Sequence, residues 1–153
     1  MDFKNMSRDT DWTVRQRVAR NPSSPLLIIQ KLALDKRPEV AFAAVQNKIC
    51  PTALLIDFLT GENTSYSWFS VPPSRKMVRR IAKMKHCPAE ALDIIAARHS
   101  AEGLKYWVAV HPNTMGETLY AMFQNTPNLR HIIFQHPNFN ESYKTEAILT
   151  DLI

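Results

Sequence analysis

The chain has 153 residues, 45% of them hydrophobic, which is enough for one buried core and too little for two full domains. Its net charge is +5, and its two cysteines are too few for a disulfide framework or a four-thiolate metal site. No apolar stretch is long enough to cross a bilayer, and the first ten residues lack the pattern of a secretory signal. We therefore expect no membrane association and a cytoplasmic location.

The first predicted element is a polar lead-in over residues 2–11, which is partly ordered and ends at Trp12. A pattern that returns several times along the chain begins at Val14, and the second copy, from Val40, follows without any insertion. The predicted repeats cover residues 14–39, 40–60, 77–103, 104–128 and 129–153. Because self-similarity at such a period is typical of stacked helical arrays, we predict a single all-α domain over residues 1–153, an α-solenoid of about five short helical repeats.

Each repeat contains two stripes of apolar residues at helical spacing, one for each of two short helices. The first stripe consists of three columns: Val14, Val40, Met77, Leu104, Leu129; Val18, Ala44, Ile81, Val108, Ile133; and Ala19, Val45, Ala82, Ala109, Phe134. The second stripe consists of Ile29, Leu55, Leu92, Leu119; Leu32, Phe58, Ile95, Met122; and Ala33, Leu59, Ala96, Phe123. Helix pairs this short cannot bury a stripe alone, so each must pack on its neighbours.

Prolines mark the boundaries between the two helices of a repeat. Pairs such as Asn21-Pro22 and His111-Pro112 end the first helix, because a proline disfavours the α region for the preceding residue. Ser24 is predicted to cap the second helix, and residues 114–117 have the spacing of a capping box. Cys50 and Cys87 precede prolines in the equivalent position, where we expect free thiols.

The run VRQRVARNPSSPLLIIQKLALDKRPEV, from Val14 to Val40, resembles the variant leucine-rich repeat, and more loosely the HEAT-like repeats. The resemblance covers roughly residues 12–150 and is weakest in the last copy, where Lys144 and Asn140 replace an apolar residue and a proline. It implies a right-handed superhelix of alternating helices. An iron–sulfur region found in the best-known member is not implied here, because this chain lacks the cysteines for it.

An insertion over residues 61–74 lengthens the third spacing and is too rich in serine, threonine and proline to form a helix. It carries Trp68 and Phe69, which either anchor a partner or fold back over a gap in the stack.

The strongest local feature is residues 75–85, which include six lysines and arginines and no acidic residue. On a helix, Met77, Ile81 and Met84 would point inward and leave a basic face outside. The predicted outward cations are Arg75, Lys76, Arg79, Arg80 and Lys83.

The repeat alignment stacks Arg17 on Arg80 and Arg20 on Lys83, with Ala43 and Gln46 between them. Trp107 continues the column of Arg17, Ala43 and Arg80, and Tyr106 continues the column of Gln16, Phe42 and Arg79. Such a broken cationic stripe could hold phosphates, and the aromatic rings could stack on bases. A solvated helix face is the alternative.

Catalysis and metal binding find little support in the sequence. Its five histidines lack the spacing of metal ligands, and His111 and His136 are expected to bond loop backbone as Asn21 does. No nucleophile or phosphate-loop motif occurs, and Asp57, Glu90 and Asp93 form no close pair.

We therefore expect a non-catalytic binding module or scaffold, without cofactor, whose solenoid surface binds a protein partner. The residues assigned to that surface are Arg15, Arg17, Arg79, Arg80, Tyr106, Trp107 and the loop residues Trp68 and Phe69. The alternative is a nucleic-acid binder that uses Arg17, Arg20, Arg75, Lys76, Arg79, Arg80 and Lys83. A DNA glycosylase-like enzyme is a remote third hypothesis.

Overall fold

The structure is a computed structural model of the chain, and it describes residues 2–61 and 73–151. Within these ranges the chain is helical and contains no β-strand, so the all-α prediction is confirmed. The chain divides into two compact units, Met1–Met77 and Val78–Ile153. No helix in the described ranges has the length and apolar character needed to span a membrane.

The first unit is organised around one buried helix. Its helices are α1 (Phe3–Met6), α2 (Trp12–Arg20), α3 (Leu26–Ala33), α4 (Pro38–Val45) and α5 (Thr52–Thr60). Helix α4 contacts α2, α3 and α5, and every residue from Val40 to Val45 is buried. The lead-in is more ordered than we expected, because the Asp2 carboxylate accepts a hydrogen bond from the Asn5 N–H and caps α1, which packs on α2.

Helix α6 (Arg75–Ala82) contains the boundary between the units, and the second unit continues from it. The following helices are α7 (Ala89–Arg98), α8 (Glu102–Ala109), α9 (Gly116–Asn125), a 3₁₀ turn (Pro127–Leu129), α10 (Arg130–Phe134) and α11 (Glu141–Asp151). Helix α9 contacts α7, α8, α10 and α11, so it occupies the centre of this unit.

The predicted apolar columns form the core of both units. All members of the column Val18, Ala44, Ile81, Val108 and Ile133 are at most 1% exposed. In the second stripe, Leu92 and Ile95 on α7 are fully buried, as are Ile29 and Leu119. The periodicity therefore identified the faces on which the helices pack.

Several residues that were predicted to face inward lie outside the fully buried core, among them Met77, Met84 and Phe134. Val78 is fully buried in α6, whereas Met77 and Met84 are only half-buried, so the inward face is rotated toward Val78. Phe134 is 36% exposed, and Phe139 takes the core position, stacked on Phe123 with ring centroids 5.5 Å apart. Helix α10 is only five residues long, and the chain that leaves it carries Phe139 into the core.

The predicted helix caps at Ser24 and Thr114 are wrong. Helix α3 begins at Leu26 and helix α9 at Gly116, each one residue later than predicted, and neither has a side-chain cap. The Ser24 hydroxyl instead donates to the Val18 carbonyl at 2.6 Å, and the Thr114 hydroxyl donates to the Val108 carbonyl at the same distance. Each hydroxyl therefore adds a second hydrogen bond to a carbonyl in the last turn of the preceding helix, which also accepts the backbone N–H of Asn21 or His111.

A ladder of side-chain hydrogen bonds joins successive copies of the pattern. In the first unit, the Asn47 amide donates to the Asn21 carbonyl at 3.0 Å. In the second unit, a ring nitrogen, Nε2, of His111 lies 2.8 Å from the Met84 carbonyl, and Nε2 of His136 lies 3.0 Å from the His111 carbonyl. In each case the accepting residue is the one that aligns with the donating residue in the preceding copy of the pattern.

Candidate binding surface

Helix α6 presents its basic residues to solvent on the side away from Val78 and Ile81. The exposed cations of residues 75–85 are Arg75, Lys76, Arg79, Arg80, Lys83 and Lys85. Among the residues that the structure describes, no carboxylate lies within salt-bridge distance of Arg75, Lys76 or Arg79. The predicted amphipathic helix is thus confirmed, and it offers concentrated positive charge.

Lys83, Trp107 and Tyr106 come together in the second unit. The Lys83 ammonium lies 4.2 Å from the centre of the Trp107 ring, within the range of a cation–π interaction. Tyr106 packs against Trp107 at 84°, with ring centroids 5.3 Å apart, and is 40% exposed. One face of Trp107 is therefore occupied by a lysine of the basic segment.

Arg17 and Arg20 lie on α2 in the first unit, and both are exposed. They line a shallow depression of about 360 Å³ together with Met6 and Asn21. The predicted stacking of these arginines on Arg80 and Lys83 would join two units, and it stays a prediction.

Within the first unit, the surface columns that were assigned to α4 are not on the surface. Phe42 is 8% exposed and stacks on Phe58 with ring centroids 5.9 Å apart, and Ala43 is 4% exposed. Because α4 is central, its side chains from Val40 to Val45 belong to the core, and a partner cannot reach them.

Arg15 was assigned to the partner surface, and this assignment is wrong. It is 6% exposed and forms a bidentate pair with Asp35, with nitrogen–oxygen distances of 2.6 and 3.0 Å. It also donates to the carbonyls of Asp9 and Thr10, and its hydrogen bonds to Asp35 raise the pKa of Arg15 above its ordinary value. Arg15 is therefore a structural residue that ties the lead-in and the segment after α3 to α2.

Trp68 and Phe69, the aromatic residues of the predicted insertion, lie outside the described residues. Gly61, where α5 ends, adopts a left-handed conformation with φ of 66°, as a helix C-terminus favours.

His111 and His136 bond loop backbone, as the sequence predicted. Nδ1 of His111 accepts the Asn113 N–H and Nδ1 of His136 accepts the Asn138 N–H, each at 3.1 Å. Nε2 of each ring therefore carries the proton and donates to the ladder carbonyl. No group of three potential metal ligands occurs within residues 2–61 and 73–151.

Sequence reasoning missed a groove of about 270 Å³ between α7 and α9. Its lining residues are Asp93, Ala96, Ala97, Lys105, Thr118, Ala121, Met122 and Asn125. Thr118 could have indicated this groove from the sequence, because it is polar where the other copies have the apolar residues Ile28, Leu54 and Ala91.

Comparison with known protein families, with curated proteins and with solved structures finds no significant match to the chain.

Proposed function

We propose that the chain is a non-catalytic binding module whose basic helix α6, with Lys83 and Trp107 beside it, binds an acidic segment of a partner protein. The observation that carries the proposal is the concentration of exposed cations over residues 75–85. Opposite charges attract over roughly a Debye length of 10 Å at 0.1 M salt, so such a face favours encounters with a polyanion.

The solenoid architecture is part of the same proposal. We infer that the two-helix copies stack as an array of about five repeats that resembles the variant leucine-rich repeat. The ladder through Asn47, His111 and His136 supports it, because each bond reaches the equivalent carbonyl of the preceding copy. An array of this kind presents helix faces on a rigid frame, which suits binding rather than catalysis.

The geometry around Trp107 favours an acidic protein segment over a single-stranded nucleic acid. Binding to bases requires open aromatic faces, and Lys83 occupies one face of this ring. The eight residues of α6 extend over only about 12 Å, which suits a few carboxylates rather than a long phosphate track.

Charge reversal at Arg75, Lys76 and Arg79 to glutamate tests the proposal. The wild-type protein should bind a fluorescein-labelled oligoglutamate of ten residues at low salt, and the triple variant should lose at least tenfold in affinity, measured by fluorescence polarisation. The matched control reverses the exposed lysines Lys31, Lys36 and Lys48, which changes the net charge equally and should cost little.

Circular dichroism of each variant should retain the helical spectrum, so that a loss of affinity reports on the surface. Equal losses in the α6 and control variants, or no salt-sensitive binding of oligoglutamate, would contradict the proposal. Preference for a single-stranded DNA oligomer, with a log–log salt slope of about −0.7 for each phosphate neutralised, would support the nucleic-acid alternative instead.

A further inference from the structure

The groove between α7 and α9 has a neutral floor and one charged side chain of each sign. Ala97 and Ala121 contribute exposed methyl groups to the lining, and Met122 closes the bottom. Because two of these residues are alanines, the helices leave room there for small side chains of another chain. Asp93 and Lys105 supply the charges.

Both charged groups are held by buried threonine hydroxyls. The Thr118 hydroxyl, 4% exposed, donates to the Asp93 carboxylate at 2.9 Å. The Lys105 ammonium donates to the hydroxyl of Thr126, 5% exposed, at 3.4 Å. These bonds already restrict the Asp93 and Lys105 side chains, so less of their conformational entropy is lost when a ligand binds. The Asp93 carboxylate can still accept, and the Lys105 ammonium can still donate, further hydrogen bonds.

The two threonines set the spacing of the charges. Thr118 is in the first turn of α9, and Thr126 follows its last residue. Eight residues at the helical rise separate them by about 12 Å. An extended peptide covers that distance in about four residues at about 3.3 Å each, and side chains four positions apart point to the same face of an extended chain.

We propose that this groove binds an extended peptide segment that carries a basic and an acidic side chain separated by three residues. The basic side chain pairs with Asp93, the acidic one pairs with Lys105, and the three intervening residues lie over Ala97 and Ala121. The site is independent of the cationic face of α6.

The probe for this site is the capped peptide acetyl-Lys-Ala-Ala-Ala-Glu-amide, titrated into ¹⁵N-labelled protein and followed by amide chemical shifts. Saturable shifts at millimolar peptide are expected at Ala96, Ala97, Ala121 and Asn125. Capped peptides with lysine at both ends, or glutamate at both ends, lose one of two exposed ion pairs and should bind about threefold to fivefold more weakly.

Matched variants separate the groove from general effects. Ala121→Leu fills the groove and should abolish the shifts, whereas Ala53→Leu, at an exposed alanine of α5, should leave them unchanged. Lys105→Gln should remove the preference for the glutamate end and retain the preference for the lysine end.

Absence of shifts with the probe, equal affinity for the like-charged peptides, or unchanged binding in Ala121→Leu would each overturn the proposal. The α6 charge-reversal variant should bind the probe as the wild-type protein does, so the two proposals can fail separately.

Discussion

At the scale of single residues, small polar side chains complete the junction between the two helices of a copy. Ser24 and Thr114 each donate to the carbonyl six residues earlier, near the end of the preceding helix. Cys87 occupies the same position with a thiol, which is a weak donor, and it is fully buried. Burial raises the pKa of the Cys87 thiol from 9.0 to about 12, and that of Cys50 to about 11.

Cys87 should make the stability of the protein fall at alkaline pH. Below pH 9 the thiol is protonated in both the folded and the unfolded chain, so its contribution is fully present. Between pH 9 and about 12 it ionises only in the unfolded chain, and each pH unit costs up to about 1.4 kcal/mol. Urea unfolding across this range measures the slope.

The variant Cys87→Ser provides the comparison, because a serine there could donate to the Ile81 carbonyl as Ser24 does to Val18. Its free energy of unfolding should decline less steeply than that of the wild-type protein above pH 9. Identical slopes in both proteins would show that the thiol ionises equally in the folded state.

Arg15 shows why single surface residues were hard to assign from sequence. It belongs to a helix whose other arginines, Arg17 and Arg20, are exposed, and its partner Asp35 lies twenty residues away. Helical periodicity identifies the side of α2 on which a residue lies, but not the side chain that meets it from another helix. Unless the partner is known, the sequence does not distinguish a buried arginine from a solvent-exposed one.

At the scale of helices, the first residue of α9, Gly116, lies against Asn138 and Tyr143 and leaves no room for a side chain. A Cβ atom at this position would lie 2.9 Å from the Asn138 carbonyl oxygen and would also meet the Tyr143 ring. The same asparagine donates to the carbonyls of Pro112 and Thr114 at 3.0 and 2.8 Å. The absence of a side chain at Gly116 therefore lets the final copy bond to the one before it.

Gly116→Ala should destabilise the protein by about 1–3 kcal/mol, although alanine favours helices, because backbone at Asn138 must move to relieve the overlap. Gly103→Ala is the matched control on α8. Nothing lies within 4 Å of a Cβ at Gly103, so this variant should be neutral or more stable by up to about 1 kcal/mol. Thermal unfolding of both variants decides the point, and equal effects would contradict the close approach.

The helices themselves were the most predictable level of the structure. Apolar spacing located the buried faces of α3, α5, α7 and α9, because burial repeats with the helical period. The helix starts were harder to predict from the sequence. The spacing of residues 114–117 favours Thr114 as the cap of α9, but its hydroxyl donates to the Val108 carbonyl of α8. The sequence also did not predict that Phe139, rather than Phe134, occupies the core, because this depends on where the five-residue helix α10 ends.

At the scale of the whole molecule, the sequence predicted the outward cations of α6 but not which side chains of other helices they contact. The row of cations on α6 follows from one helix, and it was predictable. The contact of Lys83 with Trp107 joins residues 24 positions apart, and the pairing of Asp93 with Thr118 joins residues 25 apart. Such pairs require the packing of neighbouring helices, which column alignment supplies only approximately.

If the chain is an array of repeats, the residues that donate from one copy to the preceding copy should be interchangeable. Asn47 and His111 occupy equivalent positions, and each accepts the N–H of the residue two positions later while donating to the preceding copy. If the copies are equivalent, asparagine should substitute for histidine at residue 111. Its amide oxygen would accept from Asn113, and its amide nitrogen would donate to the Met84 carbonyl.

His111→Ala should lower the free energy of unfolding by about 1–3 kcal/mol, because it removes both bonds, leaving the Asn113 N–H without its acceptor and the Met84 carbonyl with only the Cys87 N–H. His111→Asn should recover at least half of that loss. His131→Ala, at an exposed histidine of α10, should change stability little and serves as the control. The measurement is urea unfolding at neutral pH. An asparagine variant as unstable as the alanine variant would mean that the two positions share a sequence pattern without sharing a structural role.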